Sequence, residues 1–171
     1  RAHTQGVSDT AVQLAQKYGA DAQLAARAGI LHDVTKALTP GEQQALIGRW
    51  QLPVTEFERA NPQLLHAKTG AAAAQSIFGE SDAVVSAIKY HTTGKPDMTA
   101  LEKIIYLADM IEPNRTYPGV DAIREAAARD LDAGVLLALE RTIAFLQEER
   151  AAVCETSIHA RDWLLQARKE L

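Results

Sequence analysis

The residues of this chain best suited to chemistry are an adjacent histidine and aspartate, His32 and Asp33. An imidazole nitrogen and a carboxylate oxygen are both ligands that divalent metals accept, so the pair could supply two ligands to one ion. Consecutive residues of a helix point about 100° apart, and both reach one ion only where it lies between their two faces. The pair therefore predicts a metal site only if other elements bring further ligands to it.

Further residues of ligand type occur where helices should carry core residues. A single inward histidine is usually a core residue bonded to a backbone carbonyl, and a lone inward aspartate can pair with an arginine or cap a helix. A shared metal site accounts for the whole set, whereas His159 lies in a polar stretch and is predicted at the surface. The set keeps helical register with apolar neighbours, His3 with Val7, His91 with Ile88 and Asp109 with Ile105, and His66 begins another helical segment.

Imidazoles and carboxylates without thiolates suit iron, manganese, cobalt, nickel or zinc. Such ions assist hydrolysis, because a divalent ion lowers the pKa of bound water toward neutrality and two ions together can promote attack on phosphorus. The residues leave open whether one ion or two are bound. Cys154 is the only cysteine, which excludes a disulfide within the chain and a thiolate zinc site and fits a cytoplasmic protein.

The composition is that of an ordinary globular protein and argues against two classes of partner. Apolar residues make up 47% of the 171 residues and charged residues 23%, which is enough for one domain with a sizeable core. The net charge of −4 provides no basic field for nucleic acid. No apolar run approaches the roughly 18 residues needed to cross a bilayer, so no membrane association is expected.

The elements that must position these residues are all predicted to be helical. Apolar residues recur at three- and four-residue spacing, and no segment shows the period-2 alternation of a half-buried strand. Asp21, Ser81 and Thr99 with Glu102 have the types and positions of helix caps. The predicted helices run up to residue 18, then over 22–37, 42–50, 67–78, 81–90, 99–111, 121–129, 131–149 and 156–169, with a short one between Pro53 and Pro62. The sequence thus predicts an all-α fold.

The order of the ligand-type residues resembles the metal-dependent phosphohydrolases of the HD superfamily. The flanking segments are more specific and resemble, over nearly the whole chain, the YqeK-type symmetrical bis(5'-nucleosyl)-tetraphosphatases. The resemblance implies an HD-domain helical bundle that forms one domain over residues 1–171, with a short segment missing before Arg1. The segments are His3-Thr-Gln-Gly-Val7, Leu31-His32-Asp33-Val34-Thr35-Lys36, Leu65-His66-Ala67-Lys68-Thr69-Gly70-Ala71, Ile88-Lys89-Tyr90-His91-Thr92-Thr93-Gly94 and the stretch from Leu101 to Arg115.

The same resemblance implies a ligand set and a reaction. The reaction cleaves dinucleoside tetraphosphates, chiefly diadenosine tetraphosphate, into two nucleoside diphosphates. An iron-type metal would be held by His3, His32, Asp33 and Asp109. His66 and His91 would lie near the substrate phosphates or a second metal.

Symmetric cleavage requires attack at an inner phosphorus, so the site must hold two phosphates on each side of the broken bond. Lys36 lies three residues after Asp33, and Arg115 lies six after Asp109, where their charges could bind phosphate. One of the aspartates could orient the attacking water, and one of the two intervening histidines could stabilise charge or protonate the leaving group. The expected catalytic residues are Asp33, His66 and His91, and the expected substrate contacts are Lys36, His66, His91, Asp109 and Arg115.

Two other functions fit the same residues. One is another HD nucleotide phosphohydrolase, such as a 5'-nucleotidase or a phosphodiesterase, and the other is a nucleotide-binding regulator without turnover. The small-molecule nucleotide is expected as the partner, and the oligomeric state, including a homodimer, is left open. The base pocket is not located, since the aromatic residues that could stack on a base, Trp50, Phe57, Tyr106 and Tyr117, each suit a core role better.

Overall fold

The structure, a computed structural model, describes residues 2–169, so Arg1 lies outside the described residues. This part of the chain forms ten α-helices and one short 3-10 helix and contains no strand, which confirms the predicted all-α class. None of these helices is both long and apolar enough to cross a membrane. The helices are α1 Ala2–Tyr18, α2 Ala22–Leu31, α3 Pro40–Arg49, α4 Glu56–Ala60, the 3-10 helix Pro62–Leu64, α5 Leu65–Ser76, α6 Asp82–Lys89, α7 Ala100–Ile111, α8 Val120–Arg129, α9 Leu131–Glu148 and α10 Glu155–Lys169.

Two of the three predicted helix caps are confirmed by side-chain hydrogen bonds. The Asp21 carboxylate accepts hydrogen bonds from two backbone N–H groups at the start of α2. Thr99 and Glu102 form a complete capping box at the start of α7, as predicted. Ser81 occupies the N-cap position of α6, but its side chain makes no capping hydrogen bond, so that part of the prediction is wrong.

The second predicted helix is shorter in the structure than the sequence pattern indicates. It ends at Leu31, whereas periodicity extends it to Ala37, so His32 and Asp33 follow the helix instead of lying inside it. The chain continues through tight turns, in which Val34 N–H donates to the Leu31 carbonyl oxygen at 3.0 Å. These i to i+3 bonds wind the backbone more tightly than an α-helix does.

A buried polar network explains why the helix stops there. The Thr35 hydroxyl donates to the His66 backbone carbonyl at 3.0 Å and lies 2.8 Å from the Thr69 hydroxyl. The Gln43 amide closes the network, because its nitrogen donates to the Thr35 carbonyl and its oxygen accepts from Thr69. The network fastens the turn after α2 to α5, and that tertiary attachment overrides the local helical preference.

The core is built around α7 and is rich in alanine. This helix packs against α1, α2, α6, α8 and α9. Small residues let the helices approach closely: a Cβ added to Gly29 of α2 would lie 2.7 Å from the Ser8 Cα of α1. Close packing of α1, α2 and α7 brings the end of each helix that carries a ligand-type residue to one place.

Candidate metal centre

All six predicted ligand-type residues meet at one place, and each comes from a helix end. His3 lies in the first turn of α1 and His66 in the first turn of α5, whereas Asp109 lies in the last turn of α7. His32 and Asp33 follow α2, and His91 follows α6. The position of a side chain at a helix end is set by its helix, and where several helices end close together such side chains can reach one another. The arrangement therefore collects six donors from five helices.

Three of the histidines are oriented by the same local hydrogen bond. In each, Nδ1 lies 2.7 Å from a backbone carbonyl oxygen three residues earlier. A carbonyl oxygen only accepts, so Nδ1 carries the proton and Nε2 presents its lone pair to the centre. Such a bond to the second ring nitrogen is the usual support of a metal-binding histidine. The pairs are His32 with Gly29, His66 with Gln63 and His91 with Ile88.

The Asp33 carboxylate lies between two pairs of imidazoles. Its Oδ1 is 3.2 Å from His66 Nε2 and 3.4 Å from His91 Nε2. Its Oδ2 is 3.4 Å from His32 Nε2 and 3.7 Å from His3 Nε2. The ordinary pKa of an aspartate carboxyl is about 4 and Lys36 Nζ lies 2.8 Å from Oδ2, so the Asp33 carboxylate is ionised at neutral pH.

The donor set is complementary to a cation. His32 Nε2 and Asp33 Oδ1 are buried and have no hydrogen-bond partner. Because the Nε2 atoms of His32, His66 and His91 present lone pairs to a negative oxygen, a bound cation is what would relieve the repulsion. Two overlapping groups have donor atoms within 4.8 Å of one another and are able to hold a metal ion: His3, His32 and Asp109, and His32, Asp33 and His91.

Asp109 is held by His3 on one side and by Arg115 on the other. Its Oδ1 lies 3.1 Å from His3 Nε2 and 2.6 Å from Arg115 Nη2. The hydrogen bond to Asp109 raises the pKa of the His3 imidazole more than burial lowers it. The Asp109 carboxyl has a pKa below its ordinary value, because the His3 bond and the nearby positive groups outweigh the effect of burial. A proton on His3 Nε2 beside Asp109 is thus favoured in the metal-free protein, and a metal ion bound by the two side chains would displace it.

Glu112 is a site residue that sequence reasoning did not assign. Its side chain is only 1% exposed, and its Oε1 lies 3.1 Å from His3 Nδ1. Its Oε2 accepts from the backbone and side-chain nitrogens of Asn114, both at 2.8 Å. Gly6 covers this carboxylate so closely that a Cβ there would lie 2.3 Å from Oε2. The available signal was spacing, since Glu112 lies three residues after Asp109 and Gly6 three after His3.

The two predicted phosphate-binding cations lie at the opening of the centre. Lys36 Nζ is 2.8 Å from Asp33 Oδ2, and its side chain is 52% exposed. Arg115 donates from Nε to the Asp109 backbone carbonyl at 2.8 Å, and its side chain is 35% exposed. Both are thus fixed against an aspartate of the centre on one side and face solvent on the other.

Residues that the sequence placed outside the site lie outside it in the structure. His159 is exposed, as predicted, and pairs with Glu155 at 3.6 Å. Tyr106 is buried in the core, and burial raises the pKa of its hydroxyl above the ordinary value. Tyr117 donates its hydroxyl to the Met110 carbonyl at 2.7 Å. These two rings therefore have structural roles.

Comparison with known proteins decides the family. The sequence model of the HD domain family matches residues 1–114, which is more than half of the chain. The chain belongs to the HD domain family. The resemblance to symmetrical bis(5'-nucleosyl)-tetraphosphatases is confirmed as well. The chain is 40% identical to that enzyme of Bacillus subtilis (strain 168), over 95% of this chain and 88% of the relative.

Other relatives agree. The symmetrical bis(5'-nucleosyl)-tetraphosphatase of Halalkalibacterium halodurans is 41% identical over 98% of this chain and 89% of its own length, and that of Staphylococcus aureus is 36% identical over 91% and 81%. A solved structure from Clostridium acetobutylicum, described as a predicted HD superfamily hydrolase involved in NAD metabolism, superposes with a TM-score of 0.93. It is 37% identical, and the match covers 96% of this chain and 88% of that one.

Proposed function

We propose that this chain is a metal-dependent hydrolase that cleaves dinucleoside tetraphosphates, diadenosine tetraphosphate above all, at the central phosphoanhydride to give two nucleoside diphosphates. The observation that carries the proposal is the set of histidine Nε2 lone pairs directed at the ionised, partly unpartnered Asp33 carboxylate. Such a set is suited to a cation and to an attacking water. The relatives named as symmetrical tetraphosphatases supply the substrate class.

The metal ligands that we propose are His3, His32, Asp33 and Asp109. A bound divalent ion would supply Lewis acidity and activate a water for attack. Imidazole and carboxylate donors suit iron, manganese, cobalt, nickel or zinc, and the resemblance to the symmetrical tetraphosphatases favours iron among them. The Nε2 atoms of His66 and His91 lie 3.2 and 3.4 Å from Asp33 Oδ1 and would either bind a second ion or, with one ion bound, face the substrate phosphates.

The catalytic residues that we propose are Asp33, His66 and His91. Asp33 is ionised and would accept a hydrogen bond from the attacking water and orient it. The Nε2 atoms of His66 and His91 lie 3.2 Å apart, and with one ion bound either could hold a proton for the leaving diphosphate. His66, His91 and Asp109 would also border the bound substrate.

Lys36 and Arg115 are the phosphate contacts that we propose. Each has its charged group at the opening of the centre, where a polyphosphate must enter. The Arg115 guanidinium uses Nε and Nη2 to hold Asp109, which leaves its remaining N–H groups for phosphate oxygens. The acidic chain thus presents positive charge where the substrate needs it. The lone cysteine favours a cytoplasmic location for this activity.

The experiment is an assay of products. Purified protein is incubated with diadenosine tetraphosphate, with and without a chelator, and the nucleotides are separated by chromatography. We expect ADP as the product, loss of activity with chelator, and recovery on addition of a divalent metal. Asp33→Ala should abolish ADP release, whereas the exposed Asp162→Ala serves as the matched control and should not.

The products also separate this function from its rivals. A 5'-nucleotidase would release inorganic phosphate from a monophosphate, and asymmetric cleavage would give AMP with ATP. A nucleotide-binding regulator would bind without releasing any product. Absence of metal-dependent ADP release by the wild type would refute the proposed enzymatic activity. ADP release by Asp33→Ala would refute the assignment of Asp33 to the site.

A further inference from the structure

We propose that a pocket lined by both Lys36 and His66 receives one adenine base of the substrate, with Gln63 recognising its edge; this rests on the function proposed above. The pocket adjoins the metal centre, because two of its lining residues are in contact with Asp33. Lys36 Nζ lies 2.8 Å from Asp33 Oδ2, and His66 Nε2 lies 3.2 Å from Asp33 Oδ1. A nucleotide whose phosphates reach these groups has its base within reach of this pocket.

The size of the pocket suits a base better than a whole nucleotide. Its volume is about 240 Å³, below the roughly 300–1,000 Å³ of pockets that enclose drug-sized ligands. The ribose and phosphates would then lie outside it, toward Lys36. A larger cleft of about 440 Å³ lies beside Tyr90 and Thr92, but none of the residues in contact with Asp33 lines it. Continuity with the centre therefore selects the smaller pocket.

The walls of the pocket have the chemistry that a heterocyclic base requires. Leu38, Pro40, Pro62 and Leu65 provide an apolar lining on which a planar ring can lie. The buried Gln43 amide also faces the pocket, but it already bonds the Thr35 carbonyl and the Thr69 hydroxyl. Polar recognition of the base is thus left to another side chain.

Gln63 is that side chain. It is exposed at the rim, and its one hydrogen bond, from Nε2 to Asn61 Oδ1, is long at 3.5 Å. A glutamine amide recognises adenine by donating to N7 and accepting from the N6 amine, whereas guanine presents acceptors at both positions. The Gln63 backbone carbonyl independently holds His66 Nδ1 at 2.7 Å, so a change of its side chain leaves that support in place.

Equilibrium binding of two probes tests the pocket. Metal-loaded wild type, Gln63→Leu and the exposed control Gln147→Leu are titrated by calorimetry with ADP and, separately, with inorganic pyrophosphate, which has no base. We expect Gln63→Leu to bind ADP about tenfold more weakly, a value at the lower end of the discrimination by one bidentate amide–adenine pair. Pyrophosphate affinity should be unchanged in it, and the control should match the wild type with both probes. The wild type should also bind ADP about tenfold more tightly than GDP, and Gln63→Leu should lose that preference.

Each other outcome overturns the inference. Unchanged ADP affinity in Gln63→Leu would show that Gln63 does not contact the base. Absence of ADP binding to the wild type would show that the pocket does not receive an adenine base. Equal loss for ADP and pyrophosphate would show that the variant acts through His66 and not through base contact. These titrations measure binding, so their result is independent of whether the wild type cleaves diadenosine tetraphosphate, and failure of the proposed activity is recognised separately.

Discussion

Replacing one buried carboxylate oxygen with an amide, as in Glu112→Gln, tests how His3 is held for metal binding. Glu112 accepts the Nδ1 proton of His3 through Oε1 at 3.1 Å, and it accepts two bonds from Asn114 through Oε2, both at 2.8 Å. A glutamine side chain has one acceptor oxygen, and that oxygen would accept the hydrogen bonds from the backbone and side-chain nitrogens of Asn114. Its NH2 group would then face His3 Nδ1 and favour the tautomer with the proton on Nε2, which removes the lone pair from the centre.

The size of the effect follows from this geometry. Loss of the outer hydrogen-bond partner of a metal-binding histidine weakens metal affinity by about 10- to 100-fold. That range corresponds to roughly 1.4–2.7 kcal/mol. The Asn114 bonds survive in Glu112→Gln, so the stability of the metal-free protein should change much less than its metal affinity. In Glu112→Ala both should fall, since the buried donors lose their acceptor.

Metal affinity is measured by competition with a chromophoric chelator, and the stability of the metal-free protein by urea unfolding. Glu125→Gln, on the exposed surface of α8, is the matched control and should leave both unchanged. Wild-type metal affinity in Glu112→Gln, within about twofold, would refute the reasoning, because RT ln 2 is far smaller than the predicted loss. Equal losses of metal affinity and metal-free stability would refute it too, since the role would then be purely structural.

Three further predictions concern Gly6, Thr69 and Glu58. Gly6→Ala should lower metal affinity in the same competition assay, because the new Cβ would lie 2.3 Å from the Glu112 Oε2; unchanged affinity would contradict the packing. Thr69→Val should cost about 1–3 kcal/mol in urea unfolding, because it leaves a buried amide oxygen without its donor. For Glu58, burial alone would raise the carboxyl pKa, but the hydrogen bond from Lys68 and the helix cap lower it below the ordinary 4.5. The stabilisation is therefore complete above that pH and is lost as the pH falls through the folded pKa, so Glu58→Gln should lose less thermal stability than the wild type between about pH 7 and about pH 3.

The helices themselves could largely be predicted from local signals. Caps such as Asp21 and Thr99 are read from a few neighbouring residues, and apolar spacing marks the buried face of each helix. The end of α2 could not be predicted in this way. The bonds from Thr35 to His66 and Thr69 join segments that are more than 30 residues apart, and periodicity within one helix carries no information about them.

The candidate site, too, could be predicted from the sequence only in part. The inward register of four ligand-type residues was evident from the sequence, and the resemblance implied the metal-ligand set of His3, His32, Asp33 and Asp109. Glu112 was missed because its one local signal, a position three residues after Asp109, is shared by many helix-end carboxylates at the surface. Its role depends on contact with a residue 109 positions earlier in the chain. The catalytic and ligand roles stay predictions until the variants are measured.

By itself, the sequence predicted an all-α fold in which four helices each carry an inward histidine or aspartate, and its motifs indicated the HD domain family. Only the tertiary structure decided which atoms of those donors meet. The convergence of five helix ends turned the Asp33 carboxylate so that each oxygen faces a different pair of imidazoles, and it left a base-sized pocket beside Lys36 and His66. The physical reason is that register within one helix fixes the direction of a side chain, whereas distances between helices depend on the packing of small residues and on hydrogen bonds between distant segments.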